Sequence, residues 1–429
     1  MRKITYWLTL LLIFTIPWED IVSISAIGSL TRLLGLAVAG CWFLTILIEG
    51  KFRKPLLFHA LVLFFFLWSI LSYVWTLDPA RTLERIKTYA QIFILMMIIW
   101  EMLQDHDELN AALQAYVIGA FVPIISTLSN YLRGVSAVKW QVRYSATGVN
   151  AVDMALILLL GLPIAWHLFT HSYKKIRVLA IMNLLYLPLS VFTILLTASR
   201  TSLFAIVPAV IFIAWPKRMD LGRILLMLAF LIFGIMVLRT LLPASIVERL
   251  ASATTSISSA DIGGRVGLWA DAFSVFIEHP LLGSGSGTLS SLIGSLSHQT
   301  FLSVLAETGL VGLALFITIV IYIFNQLFKI PKDYTGLWVS TFFIWFIGVL
   351  SLSFEFRKIT WLFFSFMFIE GCSLRKKWLS KKESLGFSEA EEKQVAGSSR
   401  RVKGLTQAIG GKVQGFGKKT SNRDSLSEF

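Results

Sequence analysis

SHQTFLSVLAETGLVGLALFITIVIYIFNQL, residues 297–327, decides how the chain is to be read. From Phe301 to Leu327 it carries one carboxylate, Glu307, and no lysine or arginine. As a helix it is long enough to cross a hydrocarbon core of about 30 Å. The stretch predicts a membrane span with His298 at its mouth and a carboxylate nine residues further in.

Outward from that stretch the same pattern recurs. The 429 residues are 56% hydrophobic and 15% charged, with a mean hydropathy of +0.73. A soluble domain carries about 25% charged residues, so the bulk of this chain must face lipid. About twelve apolar runs of spanning length are separated by short charged loops. They are centred within 4–17, 30–48, 56–75, 86–103, 111–131, 151–170, 178–197, 201–215, 223–242, 301–327, 334–352 and 359–374. The first run, behind Met1-Arg2-Lys3, has the outline of a signal peptide, but the spans that follow favour an uncleaved first helix. The predicted fold class is therefore all-α, a polytopic membrane domain over residues 1–374.

Lysine and arginine in the short loops orient such a domain. A cytoplasmic N-terminus puts Lys51, Arg53 and Lys54, then Lys174, Lys175 and Arg177, then Lys217 and Arg218, then Lys329 and Lys332 on one side. An even number of spans returns the C-terminus to that side. Residues 375–429 hold 13 Lys/Arg against 6 Asp/Glu, half of the chain's net +14, and read as a disordered basic tail or a strip for anionic lipid. Cys41 and Cys372 both fall in apolar runs and imply neither a disulfide framework nor a zinc site.

Two connections on the outer side are long, 132–149 and 243–300. The second contains an amphipathic stretch in which Leu268, Ala272, Val275 and Phe276 recur at helical spacing before Pro280. It predicts a surface helix over the outer mouth of the bundle, with Arg265 at its N-terminal end. A cation there opposes the helix dipole, so helix stability offers no reason for it. GSGSG at 283–287 lacks the strand and the Lys-Ser/Thr of a phosphate loop and reads as a flexible turn.

Sixteen residues separate Arg200 from Lys217, a helical rise of about 24 Å. That is shorter than the core, so the turn at Ser199-Arg200 should lie sunk below the outer surface. An arginine at that depth lines a cavity or finds a carboxylate such as Glu307. Of six histidines only His279 and His298 fall on the outer side. An imidazole with an ordinary pKa of about 6.5 is a suitable general base at neutral pH. Glu307, roughly 13 Å deeper, is too far away to orient it and suits pairing with an intramembrane arginine. The outer carboxylates Asp78, Asp153, Asp261, Asp271 and Glu278 show no metal-ligand spacing, so no metal and no cofactor is expected. The outer mouth thus offers Arg200 and Arg265, with Arg143 and Arg357 as accessories, and one histidine. Guanidinium forks and one base suit a lipid diphosphate that departs as a hydroxyl attacks.

Several motifs carry a family resemblance: R-x-G-L-W at 265–269, H-P-L-L-G-S-G-S-G at 279–287, H-x-x-x-L-x-x-x-x-E-x-G at 298–309, A-S-R at 198–200 and R-Y-S-A-T-G-V-N at 143–150. Together with the long outer loop they resemble the O-antigen ligase family over roughly residues 60–370. The resemblance implies a GT-C-like glycosyltransferase of the bacterial inner membrane, with its active site facing the periplasm and both termini in the cytoplasm. It would move a glycan from undecaprenyl diphosphate to an acceptor hydroxyl, in ligases a lipid A-core sugar, with inversion. By matching motif, His298 would be the general base, and Arg200 and Arg265 would bind the donor diphosphate. Gln299 departs from the asparagine usual in the family, which bears on acceptor preference. A polysaccharide polymerase and a protein O-oligosaccharyltransferase share these motifs. A transporter of lipid-linked sugars would instead distribute charge along a central path between repeated halves. No nucleic-acid partner is implied.

Overall fold

The computed structural model describes residues 1–24, 28–137, 141–172, 176–214, 240–251 and 265–384. The described chain is mostly helical, and its strands are a two-residue antiparallel pair, Ser23–Ile24 with Gly28–Ser29. It divides into two units, Met1–Leu374 and Arg375–Phe429, and the helical bundle with its candidate site belongs to the first.

The helices are α1 (Arg2–Thr15), α2 (Leu30–Glu49), α3 (Leu57–Leu71), α4 (Pro79–Met102), α5 (His106–Leu132), α6 (Ala151–Ser172) and α7 (Arg177–Leu196). They continue with α8 (Arg200–Ala205), α9 (Val207–Ala214), α10 (Ala244–Ala251), α11 (Arg265–Glu278), α12 (Leu289–Leu292), α13 (Thr300–Leu327), α14 (Lys332–Val349) and α15 (Lys358–Ser384). Their starts follow local chemistry. The Ser29, Asp78 and Asp105 side chains accept the amides of Arg32, Arg81 and Glu108, capping α2, α4 and α5. Gly50 closes α2 at φ +59, the left-handed turn that glycine adopts freely.

Six helices are long and apolar enough to cross a membrane: Leu30–Glu49, Leu57–Val74, His106–Leu132, Ala151–His171, Arg177–Leu196 and Thr300–Leu327. This makes a multi-pass membrane protein. Of the remaining expected spans, 4–17, 86–103, 334–352 and 359–374 are covered by α1, α4, α14 and α15. The run at 201–215 is not one helix but two, broken between Ala205 and Val207. The run at 223–242 falls mostly on residues outside the described ones.

Side-chain contacts sort the helix ends into two groups. At the first end Arg2 reaches Glu49 (3.9 Å) and Glu101 (3.5 Å), and Arg53 donates to the carbonyls of Trp100 and Leu103. His106 meets Glu370 at 3.0 Å, and the Tyr334 ring packs on His106, His167 and His171. At the second end lie Glu19, Asp20, Arg85, Arg143, Asp153, Arg265, Glu307 and Arg357. Lys51, Lys54, Lys329 and Lys332 therefore gather at the first end and the candidate site at the second. Between them is an aromatic core around Tyr116, Tyr186, Trp345, Trp361, Phe363 and Phe364, all fully buried.

Candidate active site

The site grows from the mouth of α13. The Gln299 side chain accepts the Leu302 amide and caps the helix, so its amide serves helix initiation. The chain must turn sharply into that cap, and His298 does so at φ +53. A side chain in the left-handed region costs on the order of 1 kcal/mol and persists only where its surroundings over-determine it. Here they do. The buried Ser297 hydroxyl lies 2.7 Å from Ser303 Oγ, Ser303 Oγ lies 2.9 Å from Ser353 Oγ, and the Ser297 carbonyl accepts from Trp269 Nε1 at 3.1 Å. Thr300 Oγ1 donates to the Leu352 carbonyl (2.6 Å) and accepts the Phe354 amide (2.9 Å). The half-buried imidazole is pushed below its ordinary pKa, first by burial and then by the nearby Arg265 charge. At neutral pH the ring is uncharged and able to accept a proton.

Arg265 opens α11, as the sequence predicts, and the same 351–354 strap fixes it: its Nη1 donates to the Ser351 carbonyl at 2.9 Å. One short segment between α14 and α15 therefore positions both His298 and Arg265. The surface helix lies where its pattern requires, with Ala272, Val275 and Phe276 packed against Leu289 and Ala306.

The third part is the turn between α7 and α8. Ala198 stands at φ +48, and the turn is held through its carbonyls. Leu196 accepts the Tyr144 amide (2.9 Å), Thr197 accepts Arg143 Nε (2.9 Å) and Ala198 accepts Arg249 Nε (3.1 Å). Arg200 follows at the start of α8. The guanidiniums feel one another. Burial lowers the pKa of Arg143 to about 10, with the Arg249 and Arg265 charges adding to the effect. Burial and then Arg200 lower Arg249, and burial and then Arg249 lower Arg265. All remain protonated at neutral pH. Arg143, Arg200, Arg249, Arg265 and His298 thus form one basic cluster at the second end.

Several expectations are corrected beside it. Glu307 does not pair with Arg200. It lies 3.6 Å from Arg85, which also meets Glu355 at 3.1 Å, and it accepts the Gly287 amide at 2.8 Å. The reason is a break in α13 at Gly309 (φ +67), into which the 279–288 loop inserts. Gly285 donates to the Glu307 carbonyl, Ser284 to Ala306, and Leu310 to Pro280. A β-carbon on Gly283 would collide with the Glu307 backbone, and one on Gly309 with the Leu281 carbonyl. GSGSG is therefore not a flexible turn but a buried wedge, glycine-rich because two backbones meet there. Arg357, expected as an accessory of the mouth, is held by Asp20 and Asp153, both at 2.9 Å, and its neighbour Lys358 pairs with Glu19.

Sequence reasoning missed Arg249 and Arg85. Arg249 lies in ASIVERLA, where an arginine on an amphipathic helix reads as solvated, and only the fold brings it to the turn 51 residues earlier. Among the described residues, no three His, Cys, Asp or Glu side chains gather to hold a metal ion. A cavity of about 770 Å³ between α9 and α14, lined by Phe212, Lys332, Gly336 and Phe343, lies toward the first end, away from the histidine and the arginines.

Forks that orient an anion, next to a neutral imidazole, can stabilise a departing phosphate while a hydroxyl is deprotonated. No curated protein matches the chain. Residues 185–317, which hold Arg200, Arg249, Arg265 and His298, match the model of the O-antigen ligase family.

Proposed function

We propose that this enzyme transfers a glycan from undecaprenyl diphosphate to an acceptor hydroxyl on the periplasmic face of the inner membrane, the acceptor being a lipid A-core sugar. The family match supports the coarse activity, that of a membrane enzyme of O-antigen ligase or polymerase type. The observation that carries the finer reading is His298. It is a neutral imidazole held in a strained backbone position beside Arg265 and next to a cluster of guanidiniums. His298 takes the proton of the acceptor hydroxyl as its oxygen bonds to the anomeric carbon. The bond from that carbon to the diphosphate breaks on the opposite face, which inverts the centre. Arg200 and Arg265 bind the diphosphate and stabilise the charge it gathers as it leaves. The residues themselves supply this charge stabilisation, so the reading calls for neither a metal nor a cofactor.

The test is transfer by purified protein in lipid vesicles, given a glycan on undecaprenyl diphosphate and a lipid A-core acceptor. The expected product is glycan joined to the acceptor with inverted configuration. Glycan lengthened on its carrier, with the acceptor untouched, would replace ligation by polymerisation. A retained configuration would remove the single-displacement role of His298.

A further inference from the structure

Away from the histidine, a narrow cleft of about 50 Å³ runs between α2 and α4 over α1. Both helices end at the first end, where Glu49 and Glu101 meet Arg2, so they run parallel. Arg32 and Gln91 stand at the head of the cleft, toward the second end. Ala39 and Ile98 stand at its foot, each about 10 Å further along its helix. Leu12, Leu95 and Ile98 form a buried floor, whereas Leu36 and Ile94 on the rims are 60% and 40% exposed. α2 is the least buried of the six spanning helices. The cleft therefore opens toward the bilayer, and what covers an apolar cleft there is lipid.

The head of the cleft is basic. The Gln91 amide oxygen accepts Arg32 Nε and Nη2, both at 3.1 Å. A neutral amide orients a guanidinium and leaves its charge in place, and among the described residues no carboxylate pairs with Arg32. Lys358, which also lines the cleft, pairs with Glu19, and Glu19 accepts Ser29 Oγ at 3.2 Å. Arg32 and Lys358 against Glu19 leave one net positive charge. Helix stability does not account for it, because Arg32 lies in the first turn of α2, where a cation opposes the dipole. An arginine at the boundary of a spanning helix lays its stem on apolar surface and holds its head among polar groups.

We propose that this cleft binds an anionic glycerophospholipid of the surrounding membrane. One acyl chain lies between α2 and α4 against Leu12, and the phosphate accepts from the Arg32 guanidinium at the head. A phosphatidylglycerol headgroup cancels the net charge there, whereas a zwitterionic headgroup leaves it standing. The lipid fills the gap between α2 and α4 and so fastens the least buried span to the bundle. Its site is built from α1, α2, α4 and the start of α15, and shares no residue with the cluster around His298.

The experiment measures binding of a spin-labelled phosphatidylglycerol to the purified full chain in detergent, with unlabelled phosphatidylglycerol, phosphatidylcholine, inorganic phosphate and farnesyl diphosphate as competitors. Phosphatidylglycerol should compete about tenfold better than phosphatidylcholine, as a charge-assisted contact provides. Arg32→Gln should bring the two lipids to within about threefold of each other, and Arg32→Lys, which keeps the charge and loses the fork, should fall between. A β-carbon on Gly35 meets only Leu12, at 3.9 Å, so the side chain of Gly35→Leu enters the cleft without disturbing the helices. It should weaken phosphatidylglycerol by about tenfold, the worth of a few displaced methylenes, with the thermal midpoint no lower than that of the parent. Unchanged binding in Gly35→Leu would remove the cleft as the seat of the acyl chain. Equal competition by both lipids in the parent overturns the proposal. A preference that survives Arg32→Gln overturns it too, and places the anion on other basic residues, such as those of 375–429. Displacement by inorganic phosphate as effective as by phosphatidylglycerol would reduce the head to a free-anion site. Stronger displacement by farnesyl diphosphate would give the cleft to a polyprenyl lipid, and the phospholipid would be overturned.

Discussion

Two groups of arginines lie at the same end of the bundle and are used in opposite ways. Arg85 meets Glu307 and Glu355, and Arg357 meets Asp20 and Asp153, so both are spent on carboxylates. Arg143 and Arg265 donate to the carbonyls of Thr197 and Ser351. A carboxylate fixes a guanidinium and cancels its charge, whereas a carbonyl fixes it and leaves the charge for an incoming anion. The first group forms a charge-paired scaffold, and the second keeps its positive charge. Membrane depth alone does not mark an arginine as a ligand; its resident partner does.

The sharpest way to test that division is at the base it serves. His298→Ala keeps the β-carbon and hence the backbone strain, so protein level and thermal midpoint should stay near the parent. Transfer should fall by about 10²–10⁴, the usual worth of a positioned base. A loss below tenfold in the vesicle assay would return His298 to an ordinary interfacial histidine.

The scaffold should break differently. Arg85→Gln leaves Glu307 and Glu355 buried without their cation, which costs about 3–5 kcal/mol. The expected outcome is a large fall in folded yield and thermal midpoint in detergent, with farnesyl diphosphate affinity of the folded fraction within about threefold of the parent, since one arginine of the scaffold touches no donor. A normal midpoint with lost affinity would move Arg85 into the charged group and dissolve the comparison.

The same contrast shows what the sequence could and could not reveal. The spans at 30–49, 57–74, 106–132, 151–171, 177–196 and 300–327 were legible because length and apolarity are local properties. The helix at 265–278 was legible from its apolar spacing, as was the position of Arg265 at its start and of His298 just before the helix that begins at Thr300. Arg249 was not, because its role depends on a carbonyl 51 residues away that only tertiary packing brings near. Glu307 was legible as a buried partner but not as the partner of Arg85, since the break at Gly309 and the wedge that fills it are long-range backbone contacts. Arg357 misled for the same reason: Asp20, 337 residues earlier, reaches it only in the fold.

A smaller effect should appear in the pH profile. Burial is the larger cause of the lowered His298 pKa and Arg265 the smaller. Arg265→Gln removes only the smaller one, so the pKa should rise part of the way back toward its ordinary value. The base works when neutral, so activity falls as pH falls through this pKa, and the acid limb of the residual activity should move to higher pH. A limb that stays in place would mean that Arg265 does not act on the imidazole through its charge.

The smallest effect is expected at Gln299, where the chain departs from the asparagine usual in families of this kind. The sequence suggests an effect on acceptor choice, because the position follows the base directly. In the structure the Gln299 side chain turns back to the Leu302 amide and caps α13. Asparagine is among the best residues for that role. Gln299→Asn should therefore change stability by no more than about 0.5 kcal/mol and leave acceptor selection as it is. The strain at His298 depends on there being a cap, not on which amide provides it, so the ring should keep its place. A switch in preferred acceptor with an unchanged thermal midpoint would show that the amide faces the substrate during turnover, and the residue would then join the charged side of the division as a contact of the reaction.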